Sequence, residues 1–177
     1  MNYKKLESVL EYNFKNDNFL KQSLIHKSFD KNKNNEKLEF LGDRVLGLVI
    51  SQTLLTKYPA EKEGIIDKKY ANLVNKKKCA EISNKLNLKK FMLLGKNYQK
   101  TNQANEKISG DCLEAIIGAI FVDGSLKDAE NFILNYWQDS LEKSDQTIID
   151  SKTKLQEYCL KKFKILPTYT LEKKSGP

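Results

Sequence analysis

Acidic residues on two apolar stretches are the candidates for chemistry in this chain. In Asn35–Leu46, NEKLEFLGDRVL, a helix puts Glu36, Glu39 and Asp43 at i, i+3 and i+7, one above another on a single face. Leu38, Phe40, Leu41, Val45 and Leu46 fill the positions between and around them. Acids at helical spacing also occur as a solvated face, and this stretch alone leaves both readings open. A second stretch changes the balance. Ser109–Phe121, SGDCLEAIIGAIF, carries Asp111 and Glu114 at i, i+3 in another strongly apolar helix. Buried carboxylates are costly unless they are paired, protonated or bound to metal. If the two helices pack together, their inward acids form a four-carboxylate cluster, which suits Mg²⁺ or Mn²⁺.

Other chemistries find little support. His26 is the only histidine, so there is no His cluster and no His-based triad. Cys79, Cys112 and Cys159 form no CxxC and no spacing typical of metal ligands, and Cys79 and Cys112 read as buried free thiols. The net charge of +8 favours a polyanionic partner. Nearly all of the positive charge is lysine, with Arg44 the only arginine, so phosphate contacts must come from Lys, backbone N–H groups and polar side chains. No apolar run has the length of a membrane span, and the start, MNYKKLESVLEY, is amphipathic and unlike a signal peptide. A soluble cytoplasmic protein without a small-molecule cofactor is expected.

The elements that must position the acids follow from periodicity. Tyr3–Phe14 reads as a helix with Leu6, Val9, Leu10 and Phe14 on one face. Asp17 is placed to cap a second helix. The acid-bearing helix runs on until Pro59. IIDKKYANLVN and CAEISNKLNL read as two further helices, the second opened by Lys76–Lys78, which are read as solvated surface. Lys96–Asn105 reads as a polar loop and Asn105–Val122 as the second acidic helix. A final stripe from Leu126 to Leu141 completes an all-α bundle, and Glu142–Asp150 reads as a linker.

NEKLEFLGDRVL resembles the signature motif of the ribonuclease III family, and GDCLEA resembles its second acidic motif. The resemblance includes the spacing between the motifs and covers almost the whole chain. It implies an all-α endonuclease domain at 1–147 that forms a homodimer and cuts double-stranded RNA with Mg²⁺. It implies Glu39, Asp43, Asp111 and Glu114 as metal ligands, with Asp43 and Glu114 catalytic. Phe40 is implied at the dimer interface, and Glu36 near the RNA or in the outer shell. Glu63 matches an acid near the cleavage site, and reads equally as an acid favoured by a helix N-terminus. SLIHKSF resembles a His-containing stretch of the family, in which His26 orients the start of the signature helix. Arg44 stands where many members carry Ser and is read as a tolerated variant.

The segment 148–177, with TKLQEY, resembles the first helix and first strand of a double-stranded-RNA-binding domain, an incomplete α/β module. The resemblance puts Gln156 and Glu157 on the helix face that reaches an RNA minor groove. The implied reaction is attack of water on phosphorus, giving 5′-phosphate and 3′-hydroxyl ends with short 3′ overhangs, in the processing of rRNA and mRNA precursors. A binding-only family member is disfavoured by the four acids. A short family nuclease without the RNA-binding module is disfavoured by TKLQEY. An all-α diphosphate enzyme would want DDxxD motifs, which the chain lacks.

Overall fold

Helix α3 (Glu36–Lys57) crosses helix α6 (Asn102–Asp123), and the other helices within residues 3–144 are arranged around this pair. The computed structural model describes residues 3–98, 102–144 and 151–170. The chain divides into two compact units, Met1–Asp145 and Gln146–Pro177, each described by itself. The expected boundary at 147/148 lies outside the described residues.

In the first unit, α6 is the central element. Residues 108–120 are all buried, including Leu113, Ile116 and Ile120. A helix enclosed on every side must be apolar all round, as this one is apart from its acids. Leu46, Ile50 and Leu54 of α3 pack into the same core. The helices meet at glycines. A Cβ added to Gly42 would collide with the carbonyl oxygen of Glu114 and lie 2.8 Å from the Gly118 nitrogen. One added to Gly118 would collide with the Leu38 carbonyl oxygen. Only residues without a Cβ allow this approach of the two backbones.

Around that pair stand α1 (Tyr3–Leu10), α2 (Asp17–Ser23), α4 (Glu63–Val74), α5 (Lys76–Lys85) and α7 (Leu126–Lys143). Helix α1 is shorter than periodicity predicts. Glu11 adopts a φ of 53° and ends it. Phe14 still enters the core, but from a loop whose amide donates to the buried Glu7 carboxylate at 2.8 Å. The cap of α2 is Asn16, whose side chain accepts from the Asn18 amide, and Asp17 is the first helical residue. Asp123 ties the end of α6 to this segment by accepting from the Lys15 and Asn16 amides and the Tyr12 hydroxyl. Helix α6 begins at Asn102, three residues before the expected start. Ser125 caps α7, which buries Trp137, and the indole N–H donates to the Leu73 carbonyl at 2.7 Å. Cys79 and Cys112 are buried free thiols.

In the second unit, α8 (Ser151–Phe163) leaves Leu155, Tyr158, Leu160 and Phe163 exposed. Of the segment in which a strand is expected after it, residues 166–170 have no regular structure and 171–177 lie outside the described residues. Among the described residues the only β interaction is an isolated parallel bridge between Ile25 and Leu93. No helix among them is long and apolar enough to cross a membrane.

Candidate metal centre

Glu39 on α3 and Asp111 and Glu114 on α6 point into one space, with one carboxylate oxygen from each lying within 4.8 Å of the others. The glycine crossing is the cause, because it brings the two acid-bearing faces within reach of one another. Glu114 is 1% exposed and Asp111 6%, while Glu39 is half-buried at the rim. Asp43 lies further out. It is absent from the tight group and forms an ion pair with the neighbouring Arg44. It still lines the same cavity, of about 330 Å³, with Glu36, Glu39, Phe40, Lys76 and Glu114.

A cation already sits among the acids. Lys76, the first residue of α5, donates to Asp111 Oδ1 and Glu114 Oε2 at 2.6 Å each, and lies 3.4 Å from Glu39 Oε1. The expectation of a solvated lysine run therefore fails at Lys76. In sequence it cannot be told from Lys77 and Lys78; what selects it is the packing of α5 against α6. Gly110 lies under this contact, 3.1 Å from the Lys76 carbonyl oxygen by its would-be Cβ.

The electrostatics follow from burial and crowding. Desolvation pushes the Glu114 carboxyl up to about 7, against the opposing pull of Lys76. Burial and then the Asp111 charge raise Glu39. Burial alone would lower the Lys76 ammonium, but its hydrogen bonds to Asp111 and Glu114 outweigh that and raise it. One oxygen stays unsatisfied: Glu114 Oε1 is buried and has no hydrogen-bond partner. A buried carboxylate oxygen without a donor is a poor structural feature and a good ligand atom.

The remaining expected site residues separate. Glu36 pairs with Lys27 at 2.7 Å and sits between the acid cavity and a second cavity of about 530 Å³ that is lined by Lys27, Lys31, Lys96 and Tyr98. Phe40 is 63% exposed, with the Arg44 guanidinium 4.4 Å above its ring. Glu63 is an exposed first residue of α4 and lines neither cavity. Gln156 is half-buried on α8; the Glu157 side chain lies outside the described residues. His26 is buried, with Nδ1 at 2.7 Å from the Ser28 hydroxyl and its ring 5.1 Å from Tyr98. The neighbouring Ile25 carbonyl accepts from the amide of Asn35, the residue just before α3, at 2.8 Å.

Comparison with known proteins shows which family the chain resembles. A family profile described as Ribonuclease-III-like matches residues 16–141. A protein named Ribonuclease 3 from Pelagibacter ubique is 54% identical over 173 residues, covering 98% of this chain and 78% of its own length. Ribonuclease 3 of Campylobacter jejuni is 42% identical over 180 residues, covering 99% of this chain and 80% of its own length. A solved nuclease domain of ribonuclease III from C. jejuni superimposes with a TM-score of 0.75 at 42% identity, covering 80% of this chain and 99% of that one; its description refers to a region involved in dimer formation. A Dicer from Pichia stipitis shares the fold, with a TM-score of 0.62 at 23% identity, covering 82% of this chain and 68% of that one. With a profile spanning most of the chain and relatives aligned along nearly all of it, the protein belongs to the ribonuclease III family.

Proposed function

We propose that the chain is an endonuclease that cuts double-stranded RNA with Mg²⁺, for which Mn²⁺ can substitute. The observation that carries this reading is the convergence of Glu39, Asp111 and Glu114 with one buried Glu114 oxygen unpartnered. An all-carboxylate donor set suits a hard divalent cation, so the residues present fit Mg²⁺. Glu39, Asp43, Asp111 and Glu114 would hold it. Bound there, it would neutralise charge at the phosphate and activate water at neutral pH.

The protein's own groups prepare that step. Glu114 and Asp43 are the catalytic acids of this reading, one at the floor of the cavity and one on its wall. The backbone contact at Gly42 holds α3 against the turn of α6 that carries Glu114. Glu36 is an outer-shell residue, held by Lys27 at the junction of the two cavities. Lys27, Lys31 and Lys96 offer cationic contacts to the RNA backbone, where affinity comes from neutralised phosphates. Glu63 is assigned to RNA contact, and Gln156 and Glu157 of α8 to a minor groove. In this reading 1–147 is the nuclease domain and 148–177 the start of an RNA-binding module.

The exposed stripe Phe40, Leu48 and Leu55 on α3 supports a homodimer. An apolar face of this kind marks an association surface. Two sites in a dimer would cut both strands, leaving 5′-phosphate and 3′-hydroxyl ends with short 3′ overhangs. The substrates proposed are rRNA and mRNA precursors in the cytoplasm.

The test is incubation of the chain with duplex RNA, single-stranded RNA and duplex DNA, in Mg²⁺ or in EDTA, followed by end analysis. Cleavage of duplex RNA alone, abolished by EDTA, is expected. Equal cleavage of all three, or cleavage that survives EDTA, would overturn the reading.

A further inference from the structure

The Lys76 ammonium occupies the point on which three of the four acids converge. It is within hydrogen-bond reach of Asp111 and Glu114 at 2.6 Å, and 3.4 Å from Glu39. A cation coordinated by those same oxygens cannot share the space with it. The positive ends of both would compete for the same lone pairs and repel one another. We propose that Lys76 is a resident counter-ion of the metal-free site, and that divalent metal binds only by displacing it.

Three features support the exchange. First, without a cation the cluster would be hard to sustain. Asp111 and Glu114 are both nearly excluded from solvent, and like charges in a low-dielectric space repel strongly. Lys76 relieves that cost while no metal is bound. Second, Lys76 is only half-enclosed, its side chain 46% exposed, and it lines the open cavity beside Asp43 and Phe40. The ammonium therefore has a path to water that does not require α5 to move. Third, its satisfaction of the cluster is incomplete, because Glu114 Oε1 stays buried without a donor. A lysine has three donors on one point charge and cannot serve every oxygen of three carboxylates.

The consequence is thermodynamic. The apparent metal affinity is the intrinsic affinity reduced by the fraction of molecules in which the lysine has left. Removing Lys76 should make the metal-free protein less stable and the metal bind more tightly. A lysine serving only to hold α5 in place would change the first quantity and not the second.

This inference rests on the reading of the acids as metal ligands, and the experiment separates the two. Mg²⁺ and Ca²⁺ are titrated by calorimetry into the unmodified chain and into Lys76→Met and Lys76→Gln, and melting temperature is followed over the same concentrations. The expected result is a lower melting temperature in EDTA for Lys76→Met, a larger rise on adding metal, and a half-saturating Mg²⁺ concentration about tenfold lower, the scale of a broken charge-assisted hydrogen bond. If Lys76→Met is unfolded in EDTA and folds on adding Mg²⁺, the proposal is supported, and Lys76→Gln supplies the midpoint. Equal midpoints in all three chains would overturn the proposal alone. No response to either metal in any chain would overturn the metal reading, and the proposal with it.

Discussion

Gly42 and Glu114 touch backbone to side of helix: the α-carbon of one faces the carbonyl oxygen of the other with no room for a methyl group. Acid placement and helix packing are therefore one constraint. Gly42→Ala should force α3 and α6 apart and cost at least about 3 kcal/mol, the upper end of overpacking penalties. Gly64→Ala is the control. Nothing lies within 4 Å of its added Cβ, so it should be neutral or stabilising by up to about 1 kcal/mol. Urea denaturation of both variants checks this. A Gly42→Ala protein as stable as the parent would mean that the crossing is looser than described.

Glu114→Gln removes a charge while keeping the shape of the side chain. Cleavage and Mg²⁺ affinity should fall by orders of magnitude if Glu114 is a ligand. Stability in EDTA should move the other way at neutral pH. Burial raises the folded carboxyl from 4.5 to about 7, so folding is favoured by its protonation. That contribution is complete below about 4.5 and is lost as pH rises to about 7, on the order of 3 kcal/mol across the window. The parent should lose stability over this interval in EDTA, and Glu114→Gln should lose less. Parallel pH profiles for the two proteins would remove Glu114 as the titrating group.

Glu7→Gln should behave in the opposite sense. Burial alone would raise the Glu7 carboxyl, but Lys4 at 3.0 Å and the Phe14 amide at 2.8 Å together bring it below its usual value. Its contribution is present above about 4.5 and is lost as pH falls through the lowered folded value. The substitution should cost about 1–3 kcal/mol at pH 7, the range for a buried charge-assisted hydrogen bond. The deficit should shrink towards pH 3. Chemical denaturation at the two pH values measures it, and a deficit that grew on acidification would contradict the assignment.

Phe40→Ala should leave the folded protomer nearly unaffected, because the ring is 63% exposed and is stacked under the exposed Arg44. Association should weaken by about 2–4 kcal/mol if the ring is an interface anchor. Sedimentation velocity across a dilution series reads this directly. An unchanged monomer–dimer distribution would move the interface away from the Phe40, Leu48 and Leu55 stripe.

Much of this fold could be read from periodicity, because its helices are long and the core residues recur at helical spacing. The acids of α3 and α6 could be picked out for the same reason: charged residues inside an apolar stretch conflict with their surroundings. Lys76 could not. Its role depends on where α5 begins relative to α6, and three consecutive lysines carry no mark of which one turns inward. The end of α1 was equally hidden. Phe14 continues the apolar stripe and is buried, yet Glu11 breaks the helix and the Glu7 carboxylate takes the Phe14 amide across the gap. Asn16 displaced Asp17 as the cap because either side chain can accept at that position, and sequence does not choose between them. The strand expected after α8 rests on a resemblance alone, and part of its segment lies outside the described residues.

Trp137 gives the molecule a built-in optical reporter. It is the only tryptophan, it is fully enclosed, and its N–H is tied to the Leu73 carbonyl at the end of α4, three residues before α5 begins with Lys76. Emission from a single enclosed indole shifts to longer wavelength when water reaches it. Any loosening of α7 from this junction would therefore register as a shift of the ultraviolet emission, without a dye or label, and would come from one known place in the chain. The seam that delivers Lys76 to the acids is thus also the seam that fluorescence reads.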